Sequence, residues 1–105
     1  MAQWTVHRNP NPATRGDIPF LLDAQSDLLS ELGTRMVIPM FKKSAAPAKL
    51  FTKLTPALRF KGESLVLMVP QMAGVRLREL GEAVGDLSAK RAEILAALDL
   101  LLTGI

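Results

Sequence analysis

Along most of the chain the hydrophobic positions recur with the two-residue period of short strands, and only near the end do they switch to a helical period. Gln3-Trp4-Thr5-Val6-His7 is a β-prone run closed by Asn9-Pro10-Asn11-Pro12, whose composition is that of a loop. Pro19–Ser26 predicts a second strand with Phe20, Leu22 and Ala24 on one face. After Gly33, the segment Thr34–Phe41 predicts a third. Pro39 within it has no N–H to donate, which predicts an edge position or a bulge. Ser44–Thr55 stays open between an irregular segment and a short strand, because Leu50, Phe51 and Leu54 have helical spacing but Pro47 and Pro56 bracket them. Ala57–Phe60 and Leu65–Val69 flank Lys61-Gly62-Glu63-Ser64 and predict a hairpin, and Val75–Leu77 is again strand-like.

The last element is a helix. Ser88 is placed to cap it, and Ile94, Leu98, Leu101 and Ile105 fall on one face with Leu95 and Leu102 beside them. Arg91 stands where Glu or Gln would complete a capping box, and Lys90 and Arg91 oppose the helix dipole, with Asp86 close enough to offset them. Several short strands followed by one helix predict a mainly β fold, an antiparallel barrel-like sheet with the helix packed on it, in a single domain over residues 1–105.

Composition narrows the function classes. Of 105 residues, 49% are hydrophobic and 22% charged, as in an ordinary globular domain whose modest core dimerisation would supplement. The net charge of +3 comes from cations scattered among ten acids, with no run longer than Lys42-Lys43, so a mixed solvated surface is expected rather than a nucleic-acid interface. There is no cysteine, hence no disulfide and no thiolate chemistry, as suits a reducing cytosol. No signal peptide is legible before Phe20. The most apolar stretch, Ile94–Ile105, contains Asp99 and is shorter than the about 20 residues a bilayer requires, so a soluble cytoplasmic protein is expected.

Candidate chemistry is sparse. His7 is the single histidine and has no second imidazole or thiolate to share a metal, so it reads as a packed or surface residue. Asp23, Asp27 and Glu31 would share a face on a helix, but in a strand and loop they diverge and read as solvated acids. Gly81 and Gly85 lack the Gly-Lys-Ser/Thr ending of a phosphate loop and read as turn glycines. The stretch from Phe41-Lys42-Lys43 to Lys49-Leu50-Phe51-Thr52-Lys53 reads as an exposed loop anchored by two core phenylalanines rather than a base-stacking platform. No cofactor and no catalytic residue are expected. The apolar ending Leu100-Leu101-Leu102-Thr103-Gly104-Ile105 must pack either on the protein's own barrel or at an interface.

Two strings carry a resemblance. Asp23-Ala24-Gln25-Ser26-Asp27-Leu28-Leu29 and Gly33-Thr34-Arg35-Met36-Val37-Ile38-Pro39 closely resemble the second and third strands of the CcdB toxin family. Gly62-Glu63-Ser64, Met72-Ala73, Gly81–Ser88 and Gly104-Ile105 match in the same order, so the resemblance covers almost the whole chain. It implies an SH3-like antiparallel β-barrel with a small inserted sheet and a C-terminal α-helix, a homodimer, and a toxin of a type II toxin–antitoxin module. Such a toxin binds the DNA gyrase A subunit and traps the DNA cleavage complex. A CcdA-like antitoxin with a flexible C-terminal segment neutralises it, and DNA is bound only through the antitoxin complex.

Carried over position by position, the resemblance assigns gyrase contact to Ser26, Leu28, Leu29, Asp99, Leu102, Thr103, Gly104 and Ile105. Leu28-Leu29 replace a pair of isoleucines. Thr103 stands where the family's best-known members have Trp, Leu102 where they have Phe, and Asp99 where they have Asn. The Trp position implies stacking on a gyrase arginine, which threonine does not do. Antitoxin contact is implied for Leu50, Thr52, Leu65, Leu67 and Met68. Two other readings stand beside the toxin: a weakened or non-toxic homologue that retains antitoxin binding, and a MazF-like endoribonuclease on the same barrel, for which His7, Arg35 and Glu63 are the candidate trio.

Overall fold

Residues 2–29, 31–47 and 53–104 are described by the computed structural model. The strand made by the Arg-Met-Val-Ile-Pro string, β3 (Thr34–Lys42), is the spine of a sheet formed with β1 (Thr5–Arg8), β2 (Phe20–Asp23), β4 (Ala57–Phe60), β5 (Glu63–Leu67), β6 (Ala73–Arg76) and β7 (Ala83–Asp86). The order is β4-β5-β3-β2-β1-β7, with β6 also paired to β3, and every pairing is antiparallel. The sheet curls into a half-barrel, with the β4–β5 hairpin as the small inserted element and α1 (Arg91–Thr103) after the last strand. This is the fold expected from the sequence.

Alternation sets the two faces. Val6, Phe20, Leu22, Ile38, Met40, Leu65 and Leu67 point to the concave side and form the core with Trp4, Val69, Leu87, Ile94 and Ala97. Pro39 is not at an edge, because β3 is paired on both flanks. Met36 accepts from Ala24 on the β2 side, so Pro39 turns its imino nitrogen to the other flank, where β6 pairing ends at Val37 and β5 pairing begins at Met40. The missing donor thus falls where the neighbour changes. In the hairpin, Phe60 faces Glu63 across Lys61 (φ 51°) and Gly62 (φ 79°), the two left-handed positions of a type I′ turn.

β7 is a strand where only turns were expected, and its glycines explain why it fits. A Cβ on Gly81 would sit 2.5 Å from the Arg8 carbonyl oxygen, and one on Gly85 would sit 2.6 Å from Cε1 of Phe60. Both are glycines of close approach rather than of turns. Phe60 cannot swing away freely, since it packs edge-on against Phe20 with centroids 5.1 Å apart. Gly85→Ala is therefore expected to destabilise by roughly 1–3 kcal/mol, and in a Phe60→Leu background the same change should cost clearly less. Chemical denaturation of the four proteins checks this as a double-mutant cycle.

The helix start differs from expectation. Ser88 does not cap it: a 3₁₀ turn, Ser88–Lys90, intervenes, and the residue before α1 is Lys90, with no side-chain cap. Instead Asp86 accepts from the Ser88 backbone N–H at 2.7 Å. Hydrogen bonding from the Ser88 side chain, then from its backbone N–H, holds the Asp86 carboxyl below its ordinary 3.8, and desolvation opposes this weakly. A depressed carboxylate contributes stability above its unfolded value that is lost as pH falls through the folded one. The Tm gap between wild type and Asp86→Ala should thus be open at neutral pH and close only on acidification below 3.8.

Candidate functional surface

The segment leaving β2 is built around a guanidinium. Phe20 and Leu22 face the core, so Asp23 faces outward, as does Arg35 on β3. Neither is solvated: Arg35 Nε donates to Asp23 Oδ2 at 2.8 Å and Nη2 to Oδ1 at 3.1 Å, and both side chains are essentially fully buried. The expectation of three solvated acids is therefore corrected for Asp23, whose partner comes from the neighbouring strand. Arg35 Nη2 also donates to the Gln25 carbonyl at 3.2 Å and lies 3.8 Å from Asp27 Oδ1. Gln25 ties the same segment to β3, its Oε1 accepting from Met36 N at 3.0 Å and its Nε2 donating to the Leu29 carbonyl at 3.0 Å. Asp27 Oδ1 accepts from Gln3 N at 2.7 Å.

Ser26 Oγ then accepts from Leu28 N at 3.2 Å and opens a single 3₁₀ turn, Asp27–Leu29. Leu28 is 94% exposed and Leu29 half exposed. The resemblance-assigned Ser26, Leu28 and Leu29 thus form one knuckle, held from below by buried polar groups and apolar on top. Leu32, Met36 and Leu77 are also exposed, and Leu77 N reaches the Gly33 carbonyl at the end of this loop.

The second assigned group lies at the end of α1. Ile94 and Ala97 are buried and Leu98 and Leu101 pack partly against the core, which turns Leu95, Asp99 and Leu102 outward. Leu102 is 70% exposed, and Asp99, Thr103 and Gly104 are exposed too. Thr103 Oγ1 donates to the Asp99 carbonyl at 2.6 Å, and Gly104 (φ 74°) ends the helix by donating to the Leu100 carbonyl at 3.0 Å. Ile105 lies outside the described residues, and so do Leu50 and Thr52.

The residues expected to meet the antitoxin, and the other candidates, are placed differently. Leu65 and Leu67 are fully buried in the core and Met68 nearly so, leaving their side chains no surface to offer in this arrangement. The exposed positions of that hairpin are Ala57, Arg59, Lys61, Gly62 and Ser64. Of the two phenylalanines expected to anchor the basic loop, Phe41 is only half-buried and Phe51 lies outside the described residues. His7, Arg35 and Glu63 are not linked. His7 is buried in β1 with Nδ1 3.1 Å from the Gly81 carbonyl and Nε2 unpartnered, Glu63 sits at the hairpin, and Arg35 is engaged by Asp23.

Among the described residues no group of three His, Asp or Glu side chains could hold a metal ion, and no helix is long and apolar enough to cross a membrane. What the arrangement offers is apolar side chains presented on fixed elements, which suits association. Sequence reasoning passed over Arg35 and Gln25 as the supports of the knuckle; the outward side of the two strands, once their register is known, is the signal that finds them. Compared with known protein families, the chain matches the family model described as CcdB protein over residues 3–104.

Proposed function

Because the chain belongs to the CcdB family, a family of toxins of toxin–antitoxin systems of the gyrase-poison type, we propose that it binds the A subunit of DNA gyrase and traps the DNA cleavage complex. The observation that carries this reading is the exposure of Leu28 and Leu102, on a tethered turn and on a capped helix end, at positions the resemblance assigns to gyrase. Burying a leucine removes roughly 1.5–3 kcal/mol of apolar exposure, so two such residues offered by each protomer of a cytoplasmic homodimer give a twofold target a matching pair of patches. No residue has a catalytic role. A CcdA-like antitoxin is the neutralising partner, and its contacts on the hairpin fall on the exposed Arg59, Lys61 and Ser64 rather than on the buried Leu65, Leu67 and Met68.

A second reading rests on Thr103. Its hydroxyl bonds within the helix and it has no ring to stack on an arginine, and loss of an aromatic anchor costs on the order of 2–4 kcal/mol, or roughly 30- to 1,000-fold in affinity. That favours a weakened homologue over a fully potent poison. The endoribonuclease reading has no such support, since Arg35 is sequestered by Asp23.

Calorimetric titration of the purified gyrase A subunit tests the proposal. Wild type should associate, and Leu28→Asp combined with Leu102→Asp should bind at least about 30-fold more weakly. Equal affinity of the double variant, or no association of wild type at micromolar concentration, would contradict it.

A further inference from the structure

We propose that Arg35, with Gln25 as its relay, is a positioning residue for gyrase recognition: it winds residues 23–27 about a buried guanidinium and so holds Leu28 and Leu29 in the exposed conformation that binds. This rests on the gyrase reading above.

Three observations support it. The guanidinium meets three alternate residues of one segment, the Asp23 carboxylate, the Gln25 carbonyl and the Asp27 carboxylate. These groups span the chain from the last residue of β2 to the first residue of the exposed turn. Second, the pair belongs to the outer side of the sheet, apart from the concave core. A buried ion pair is weak as a source of stability but can fix one conformation against alternatives. Third, Leu28 is almost wholly solvent-exposed, so contacts of its own side chain do not explain where it stands. Its place is set by backbone tethers: Ser26 Oγ to Leu28 N, Gln25 Nε2 to the Leu29 carbonyl, and Asp27 to Gln3 N. Without them an apolar turn gains by folding back onto the protein, and ordering it again on binding lowers affinity.

The test uses the full chain in four forms: wild type, Asp23→Leu with Arg35→Met, Gln25→Ala, and Leu28→Ala with Leu29→Ala. The first pair replaces the ion pair with apolar volume, and Gln25→Ala leaves the ion pair in place, so it carries the test should the first pair not fold. For folded variants with a Tm close to wild type, binding to the gyrase A subunit should weaken roughly tenfold, as expected for a few side chains that must be reordered on binding. Amide exchange at Leu28 and Leu29 should quicken, a change that a merely structural role at unchanged Tm would not produce. In two further combined variants, which add the same changes to the Leu28→Ala, Leu29→Ala background, binding should fall little further. Full binding by the folded loosened variants, with Leu28→Ala, Leu29→Ala impaired, overturns the positioning role alone. Full binding by Leu28→Ala, Leu29→Ala overturns it together with the assignment of this turn to gyrase.

Discussion

Asp23→Ala is expected to cost about 3–5 kcal/mol, a large share of the roughly 5–15 kcal/mol that holds a domain of this kind folded. Arg35 is 1% exposed, and Asp23 grips it as a bidentate partner. Removing the carboxylate leaves a guanidinium with the Gln25 carbonyl and a distant Asp27, in a site closed to water. A buried charge without its counter-charge is far worse than no charge, which is why the single variant should be damaging while replacement of both partners by apolar residues recovers most of the loss. Urea unfolding of the single and double variants measures this. A cost below about 1 kcal/mol for Asp23→Ala, the scale of an exposed pair, would mean that the pair is not sequestered.

Ile94→Ala should be of similar size, about 2–5 kcal/mol, and its consequence is functional as well as structural. Ile94 and Ala97 are the two buried residues of α1, a 13-residue helix with no side-chain cap at its start. Isolated helices of about 12–15 residues are marginal in water, so this one depends on docking into the core cluster that Ile94 and Ala97 join, beside the turn at Val69–Gln71. Loss of Ile94 leaves a cavity under the first turns and loosens the platform that presents Leu102 and Gly104. Amide exchange along α1 should rise together with the fall in stability. A rigid helix with unchanged stability would contradict the docking account.

How much of this was legible in the sequence depends on whether the deciding contact is local. The hairpin could be read because Lys61-Gly62 fixes its own turn, and β2 and β3 because Phe20, Leu22, Ile38 and Met40 alternate. β7 was not legible: Ala83-Val84-Gly85-Asp86 has little strand propensity, and what places it is pairing with β1 and the room Gly85 leaves for Phe60, both remote in sequence. Asp23 looked like a solvated acid because its partner is visible only once β2 and β3 are in register. The helix pattern left Leu95 and Leu102 beside the apolar face, since leucine and alanine occur all round α1, and packing alone turned them to solvent. Leu65, Leu67 and Met68 drew their expected role from the resemblance, whereas the end of β5, Leu65 to Leu67, is buried on both faces. Ser88 has the chemistry of a cap, but the 3₁₀ turn Ser88–Lys90 separates it from α1, and its own N–H goes to Asp86.

On the function proposed above, the exposed knuckle and helix end trap gyrase on cleaved DNA. The most direct measurement incubates the purified protein with gyrase, ATP and supercoiled plasmid, then denatures the enzyme and resolves the DNA. Linear plasmid should accumulate as the protein concentration rises and disappear with Leu28→Asp combined with Leu102→Asp. Unchanged supercoiling with no linear DNA, at concentrations where the protein is bound to the A subunit, would contradict it.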